Sequence, residues 1–398
     1  MIAILKREWK SYFQNITGWL FIAAVLALYG LYFLAYNLRA GYPYVSYTLS
    51  AISFIMLIAV PILTMRSMAE ERHSRTDQLV LTAPVSLGKM IFGKFLAMVG
   101  VFTVAVAVIA VTPLVLAAFG TVPLGENYVA VLGFWLYGCT CIAVGMLASA
   151  LTESQVIAAV VAFAFLFLGY MMNSITGLIG DHLVTKVLGA YDLYTPLQSF
   201  MSGCLDLTGV VYFVSVTGLC LFLTCQCVQK RRWSMTTKKL TTGMFSVAMI
   251  VVGFAVAVAV NLVVKEMPSS WTAVDATSTK LYSLTDTTKD YVKNLSQDVT
   301  IYVLSSEKSA DSTLAETLQR YEDLSKHLKV VYKDPAKSPN FYQQYTDSAP
   351  SQNSMIVVSD ARSRVVDYSD VYEYSYDYST YSSSVDGYDA EGQLTSAL

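Results

Sequence analysis

Charge is scarce in this chain and is unevenly distributed. Only 14% of the 398 residues are Asp, Glu, Lys or Arg, whereas soluble domains carry about 25%. Seven charge-free intervals of more than twenty residues follow one another, at 11–38, 40–65, 95–125, 127–152, 154–180, 207–229 and 240–264. An apolar interval of that length holds one helix that crosses a bilayer. The scarcity of charge therefore excludes an ordinary soluble protein and predicts an α-helical polytopic membrane protein.

Catalytic and metal-binding signatures are also missing. The sequence has no HExxH, no GxSxG and no cluster of Cys and His, so we predict neither an enzyme nor a metal site. Residues 265–398 contain no cysteine, which excludes a disulfide scaffold there. The stretch from Gly88 to Lys94 has the spacing of a phosphate-binding loop, but Phe95 stands where Ser or Thr would bind magnesium. We therefore expect no nucleotide-binding site in this chain.

The basic residues predict how the spans are oriented. We place the spans near 17–36, 49–65, 96–118, 129–150, 156–178, 209–228 and 244–264. The segments on the N-terminal side of the membrane carry thirteen Lys and Arg residues, and the loops on the other side, before the last span, carry two. Because short cytosolic loops are enriched in Lys and Arg, we expect a cytosolic N-terminus in the cell membrane. An odd number of spans then places residues 265–398 outside the cytosol.

Two segments flank this predicted six-span region. Residues 1–15 are basic and amphipathic, and either form a separate interfacial helix or are the cytosolic end of the first span. Residues 234–264 form a linker and the seventh span.

The C-terminal part, residues 265–398, has the pattern of a separate α/β domain. It holds twelve Lys and Arg against twenty Asp and Glu, a net charge of −8. We predict strands at 299–306, 329–334 and 354–360, and a helix at 313–328 that a capping box of Thr313 and Glu316 begins. Strand, helix and strand in that order predict parallel pairing. The Tyr-rich tail, 368–388, alternates with period two and fits an aromatic binding face, an edge strand or a loop.

The charged segment Glu70 to Ser86 lies between the second and third spans. Acidic and basic residues begin it, and an apolar stretch around Leu79 and Leu81 follows. Pro84 then disfavours helix at the residue before it. A short charged helix with an apolar tip can dock onto a soluble protein, and a solvated loop explains the same composition. The residues alone leave both interpretations open.

The same segment resembles a known family. Glu70, Glu71, Thr76, Leu79, Leu81, Thr82, Ala83, Pro84, Val85 and Ser86 resemble the coupling loop of ABC-2 type permeases, in particular of the gliding-motility (Gld) branch. The resemblance covers residues 1–233 and implies a six-span permease domain at 16–233. It also implies that Glu70, Glu71, Arg72, Thr76, Leu79, Leu81, Thr82 and Pro84 contact a separate cytosolic ATPase, which binds ATP and magnesium. A second permease module, identical or paired, would complete the pathway.

The C-terminal part has a resemblance of its own. Asp275, Thr277, Lys280, Tyr282, Ser283, Leu284 and Thr285, followed by VTIYVL, resemble the membrane-proximal start of the Gld auxiliary subunit. The terminal EGQLTSAL resembles an internal segment of that subunit. The resemblance implies an extracytoplasmic accessory domain at 265–398. In the family the chain continues to a closing span, so we expect this domain to be truncated or completed by another chain.

These observations predict a transport function without catalysis in this chain. We expect the membrane subunit of an ATP-driven transporter, with an accessory domain fused to it and an unknown cargo. A net charge of −2 suggests no nucleic-acid partner. The alternative is a non-transporting membrane scaffold or sensor whose outer domain binds a surface ligand or partner.

Overall fold

The computed structural model describes residues 2–74, 86–179, 188–231, 239–265, 267, 273–275, 284–295, 297–306, 309–359, 362–377 and 382–398. The chain divides into two units. The first comprises Met1–Met267 with Thr272–Ala276, and the second comprises Pro268–Trp271 with Thr277–Leu398.

The described part of the first unit is helical. Its helices are α1 (Ile2–Gln14), α2 (Ile16–Phe33), α3 (Ser46–Thr64), α4 (Arg66–His73), α5 (Leu87–Ile109), α6 (Thr112–Ala117), α7 (Leu124–Leu151), α8 (Gln155–Ile179), α9 (Thr195–Met201), α10 (Leu207–Arg231) and α11 (Lys239–Lys265). A π-helical segment, Leu34–Arg39, continues α2. The strands β1 (Cys204–Asp206) and β2 (Ala273–Asp275) form a short antiparallel pair.

Seven helices in the described part of the chain are long and apolar enough to cross a membrane. They are Ile16–Arg39, Ser46–His73, Leu87–Ala117, Leu124–Leu151, Gln155–Ile179, Leu207–Gln229 and Ala248–Lys265. Their positions overlap the seven charge-free intervals of the sequence. The prediction of a helical polytopic membrane protein with a separate C-terminal domain is therefore confirmed.

The centre of the first unit is α7, which packs against α3, α5, α8 and α10. Its buried face includes Phe134 and Tyr137, which are fully buried. Gly138 permits the close approach of α5, because a Cβ atom there would lie 2.2 Å from the ring of Phe102. This helix is therefore the centre of the packing among the described helices of the first unit.

Two prolines lie inside candidate membrane spans, at different positions relative to the helices. Pro61 lies within α3, which continues for three more residues and ends at Thr64. Proline lacks the N–H that would bind the carbonyl four residues earlier, and a new helix, α4, begins at Arg66. Pro113 instead lies in the first turn of α6, after α5 has ended at Ile109. Each proline thus lies near a break in a span.

The second unit contains three helices and six strands among its described residues. They are α12 (Asp286–Lys293), β3 (Val299–Val303), α13 (Ser312–Leu324), β4 (Leu328–Tyr332), β5 (Met355–Ser359), β6 (Ser363–Val366), β7 (Tyr372–Asp377), β8 (Ser382–Tyr388) and α14 (Ala390–Ala397). Four strands form one sheet in the order β4-β3-β5-β6. Its core includes Ile301, Leu318, Tyr321 and Val357.

The predicted parallel pairing of the strand–helix–strand unit is confirmed, and a further strand makes the sheet mixed. The strands that α13 connects, β3 and β4, pair in parallel, as a strand–helix–strand unit requires. The third predicted strand, β5, pairs antiparallel to β3 on its other side. No helix lies in the connection between β4 and β5, which contains only the short 3-10 turn Phe341–Gln344. The direction of β5 was not predictable from the strand pattern alone.

The predicted capping box of α13 is wrong by two residues. Asp311 is the N-cap, and its carboxylate accepts a hydrogen bond from the N–H of Leu314 at 2.8 Å. An aspartate is as good a cap as threonine, and this one also accepts hydrogen bonds from the hydroxyls of Tyr372 and Tyr368. The tyrosines of the tail thus help to fix the start of α13.

The Tyr-rich tail forms a two-stranded antiparallel hairpin of β7 and β8. The rings of Tyr372 and Tyr388 face each other at 5.1 Å between centroids, and Tyr368 packs against Tyr372 at 5.5 Å. Of the open interpretations, the strand is therefore the one that the described residues adopt.

Candidate functional site

The predicted coupling segment divides into a described and an undescribed part. Glu70, Glu71 and Arg72 lie on α4, a helix of eight residues that follows α3. The remaining predicted contact residues, Thr76, Leu79, Leu81, Thr82 and Pro84, lie outside the described residues. The candidate site is therefore built from α4 and from the elements that hold it.

Ser149 of α7 fixes the start of α4. The first N–H groups of a helix have no partner within the helix, and Ser149 Oγ accepts hydrogen bonds from the N–H groups of Met68 and Ala69, both at 3.1 Å. The same hydroxyl donates to the carbonyl of Met65 at 3.0 Å. Ser149 is fully buried. One side chain of the central helix thus satisfies three backbone groups at the junction of α3 and α4.

Arg72 connects α4 to the turn between α7 and α8. Its guanidinium lies 2.7 Å from Glu153 Oε1 and 3.4 Å from the carbonyl oxygen of Leu151. Glu153 is 61% exposed, and an exposed ion pair contributes about 0–1 kcal/mol to stability. Arg72 therefore orients the end of α4 more than it stabilises the fold.

A second set of contacts joins α4 to α1 and α5. We name the four residues Arg7, Glu8, Glu71 and Lys94 the charged cluster. Lys94 Nζ lies 2.5 Å from Glu71 Oε1 and 3.8 Å from Glu8 Oε1. Arg7 lies 2.6 Å from Glu8 and 3.7 Å from Glu71. Two cations and two carboxylates thus alternate across three helices.

Arg7, the most exposed residue of the charged cluster, keeps its positive charge. The hydrogen bond that Arg7 donates to Glu8 raises the pKa of Arg7 above its usual value. Arg7 is therefore positive at every physiological pH, and it lies opposite two carboxylates.

A polar cleft of about 570 Å³ lies beside the charged cluster. Side chains of α1, α4 and the start of α2 line it, including Tyr12, Thr17, Arg66 and Glu70. The guanidinium of Arg66 donates two hydrogen bonds to the carboxylate of Glu70, at 2.7 and 2.8 Å. The surface of the bundle at this end is therefore polar and concave, in contrast to its apolar sides.

The described residues offer little for chemistry elsewhere in the first unit. No group of His, Cys, Asp and Glu among them is arranged to hold a metal ion. The six cysteines are buried or half-buried thiols. Asn173, a polar residue of the fifth span, lies half-buried on α8.

Sequence reasoning missed Lys94 and Ser149. The predicted third span starts at residue 96 and leaves Lys94 in the cytosolic loop before it, whereas α5 begins at Leu87. A signal was present: Met90, Lys94 and Met98 recur every four residues and are all buried, so a helix starting after Ser86 carries the lysine on its apolar face. Nothing in the sequence marks Ser149 as different from other serines in the spans.

Comparison with known proteins identifies part of the chain. Residues 278–370 match a model described as "Domain of unknown function (DUF7088)", and no curated protein matches the chain. Residues 39–228 match the family model "ABC-2 family transporter protein". This range contains α4, α5 and α7, whereas α1 precedes it. Residues 39–228 are therefore an ABC-2 family transporter membrane domain.

Proposed function

We propose that this chain is the membrane subunit of an ATP-driven transporter and that α4, with the segment after it, contacts a separate cytosolic ATPase. That ATPase binds the ATP and magnesium, and this chain does not hydrolyse ATP. The observation that carries the proposal is the way in which α4 is held: buried polar contacts connect it to α5 and α7 at one end of an ABC-2 membrane domain, and Arg7 of α1 lies 3.7 Å from Glu71.

The contacts of α4 supply a route for force. Ser149 ties the first turn of α4 to the central helix, and Lys94 ties its middle to α5 through Glu71 and the Ser67 carbonyl. An ATPase that displaces the end of α4 by closing on ATP moves both helices with it. Packed helices have discrete arrangements and do not deform continuously. The displacement therefore tilts the bundle as a whole, and a second permease module forms the other wall of the pathway.

The topology and the C-terminal unit belong to the same proposal. The excess of Lys and Arg in the segments on one side supports a cytosolic position for α1 and α4. The C-terminal unit then lies outside the cytosol, as a fused accessory domain of the gliding-motility type. It receives, holds or releases the cargo.

The docking step is tested with Leu79→Asp combined with Leu81→Asp. An apolar tip that enters a groove of the ATPase cannot bury two carboxylates without a large desolvation cost. We expect association with the ATPase that co-purifies with the wild-type chain to fall by about tenfold or more, which corresponds to about 1.4 kcal/mol. The matched control is Phe119→Asp, which changes an 82% exposed apolar residue at the opposite end of the third span.

The same variants distinguish a transporter from a scaffold or sensor. In liposomes that contain both subunits, a transporter shows ATP hydrolysis that the membrane subunit stimulates and that the double variant loses. Unchanged association and unchanged ATP turnover in the double variant contradict the docking proposal. Binding of a surface ligand by the chain without any ATPase partner favours the scaffold.

A further inference from the structure

Lys94 occupies an unusual position for a lysine. It lies in the second turn of a predicted membrane span, α5, and its side chain is 3% exposed. Met90 and Met98, one turn before and one turn after it, are buried on the same face. Ionisable residues inside membrane segments are rare and usually functional. This position therefore calls for an explanation beyond topology.

The contacts of Lys94 come from two other helices. Its ammonium lies 2.5 Å from Glu71 Oε1 and donates a hydrogen bond of 2.9 Å to the carbonyl of Ser67, both on α4. Glu8 of α1 lies 3.8 Å away. A buried ammonium without partners costs several kcal/mol, so the three groups must stay close to it. Lys94 thus constrains α4 and α1 with respect to α5.

Burial determines which of two ion pairs of α4 contributes more to its position. The pair of Arg66 and Glu70 has the bidentate geometry, but its side chains are 38% and 43% exposed, so water competes with it. Lys94 and Glu71 are 3% and 22% exposed. Removing one partner of a buried pair leaves an uncompensated charge, which costs more than the pair contributes. Loss of Lys94 should therefore have the larger effect.

A close packing contact fixes α1 at a second point. A Cβ atom at Gly100 of α5 would lie 1.7 Å from Trp9 Cζ3, so the indole ring rests directly on the backbone of α5. Glu8 and Trp9 are neighbours on α1, and Lys94 and Gly100 are less than two turns apart on α5. An ionic contact and a packing contact together determine how α1 lies across α5.

We propose that Lys94 is a positioning residue that holds α1, α4 and the start of α5 together, so that the three segments move as one rigid body. A displacement of α4 then moves α1 as well as the third span. The first half of this inference, that the three segments move together, is a property of the fold. The second half, that an ATPase supplies the displacement, rests on the proposed function. It gives α1, which lies outside the matched family region, a part in coupling.

Hydrogen–deuterium exchange on the full-length chain in lipid nanodiscs tests the first half. In Lys94→Met, which keeps the length of the side chain and removes its charge, we expect amides of α1 and α4 to exchange about tenfold faster or more. Exchange in α8, which does not contact Lys94, stays at the wild-type rate. Lys94→Arg keeps the charge and restores slow exchange. The matched control, Lys89→Met, changes an exposed lysine of the same helix and leaves α1 unaffected.

Two further variants keep the test informative if Lys94→Met does not fold. Glu8→Gln removes the charge on α1 that faces Lys94 and Arg7 and leaves the contacts of Lys94 with α4 in place, so α1 exchanges faster while α4 keeps its rate. The double variant Lys94→Met with Glu71→Gln removes both charges of the buried pair and is less perturbed than the two single variants predict together. Equal exchange of α1 in Lys94→Met and Lys89→Met overturns the inference. Wild-type exchange of α1 in Glu8→Gln also overturns it.

The second half of the inference, that an ATPase supplies the displacement, is tested by a separate measurement. With the co-purifying ATPase bound, addition of ATP should change the exchange of α1 in the wild type and in Lys94→Arg, and should leave α1 unchanged in Glu8→Gln. An ATPase that never binds contradicts the proposed function but leaves the exchange result without nucleotide intact. An α1 response that persists in Glu8→Gln shows that α1 is coupled by another route.

Discussion

At the scale of single residues, the buried hydroxyl groups at the α3–α4 junction differ in their contribution to stability. Ser149 has three hydrogen bonds to backbone groups. We predict that Ser149→Ala lowers the free energy of unfolding by about 1–3 kcal/mol, because buried N–H groups lose their acceptor. Thermal unfolding of the purified protein in detergent measures the effect. Ser174→Ala, on an exposed position of α8, is the control, and an equal loss in both variants contradicts the assignment.

Ser67 is the opposite case. Its hydroxyl is buried and has no hydrogen-bond partner within the part of the chain that the structure describes. A buried polar group without a partner is destabilising. We therefore predict that Ser67→Ala is neutral or raises the melting temperature in the same assay. A loss of stability as large as that of Ser149→Ala would reveal a partner for this hydroxyl.

At the scale of elements, α13 depends on its cap. Asp311 accepts hydrogen bonds from Leu314 N–H and from the hydroxyls of Tyr372 and Tyr368. Loss of an aspartate cap costs about 1 kcal/mol, and two tyrosine hydroxyls lose their acceptor as well. We predict that Asp311→Ala destabilises the C-terminal unit in denaturant unfolding, whereas Asp290→Ala, at an exposed position of α12, does not. Equal midpoints for the two variants would contradict this role.

The ends of β5 and β6 depend on one carboxylate, Asp367. Burial opposes its ionisation, but hydrogen bonds from the side chains and N–H groups of Ser351 and Ser369 outweigh burial and lower the pKa of Asp367 well below its usual range. The ionised form is therefore the one that the fold stabilises.

This shift predicts acid sensitivity of the C-terminal unit. An unfolded aspartate titrates near pH 4, at about 3.9. A pKa lowered by folding stabilises the fold above that pH, and the contribution is lost as the pH falls further. Asp367→Asn should thus be less stable than the wild type at pH 7, and the difference should be clearly smaller at pH 3, as measured by denaturant unfolding. A difference that is the same at both pH values would exclude the carboxylate as its source.

At the scale of the whole molecule, the proposed topology predicts on which side of the membrane each segment lies. In the proposed topology, seven spans place the end of α4 and the C-terminal unit on opposite sides of the membrane. We predict that a membrane-impermeant maleimide labels Asp286→Cys in intact cells, and labels His73→Cys only after permeabilisation. The native cysteines are buried or half-buried, and the unmodified chain measures their background. Labelling of His73→Cys in intact cells would rule out contact with a cytosolic ATPase.

The sequence by itself determined the membrane architecture, because the insertion of about twenty apolar residues into a bilayer depends on that stretch alone. It also determined the strand–helix–strand unit of the C-terminal part, where β3, α13 and β4 follow one another directly. The motif at Glu70 to Ser86 pointed to α4. These features are local, so their residues suffice to predict them.

Only the tertiary structure decided what holds α4. The Ser67 carbonyl and Lys94 are 27 residues apart, and Met65 and Ser149 are 84 residues apart. The direction of β5 likewise depends on its pairing with β3 across more than fifty residues. Such contacts form only after the helices and strands have packed, since they exist to satisfy charges and backbone groups that packing removes from water. A lysine at position 94 therefore reads as a loop residue in the sequence and becomes a buried junction of three helices in the fold.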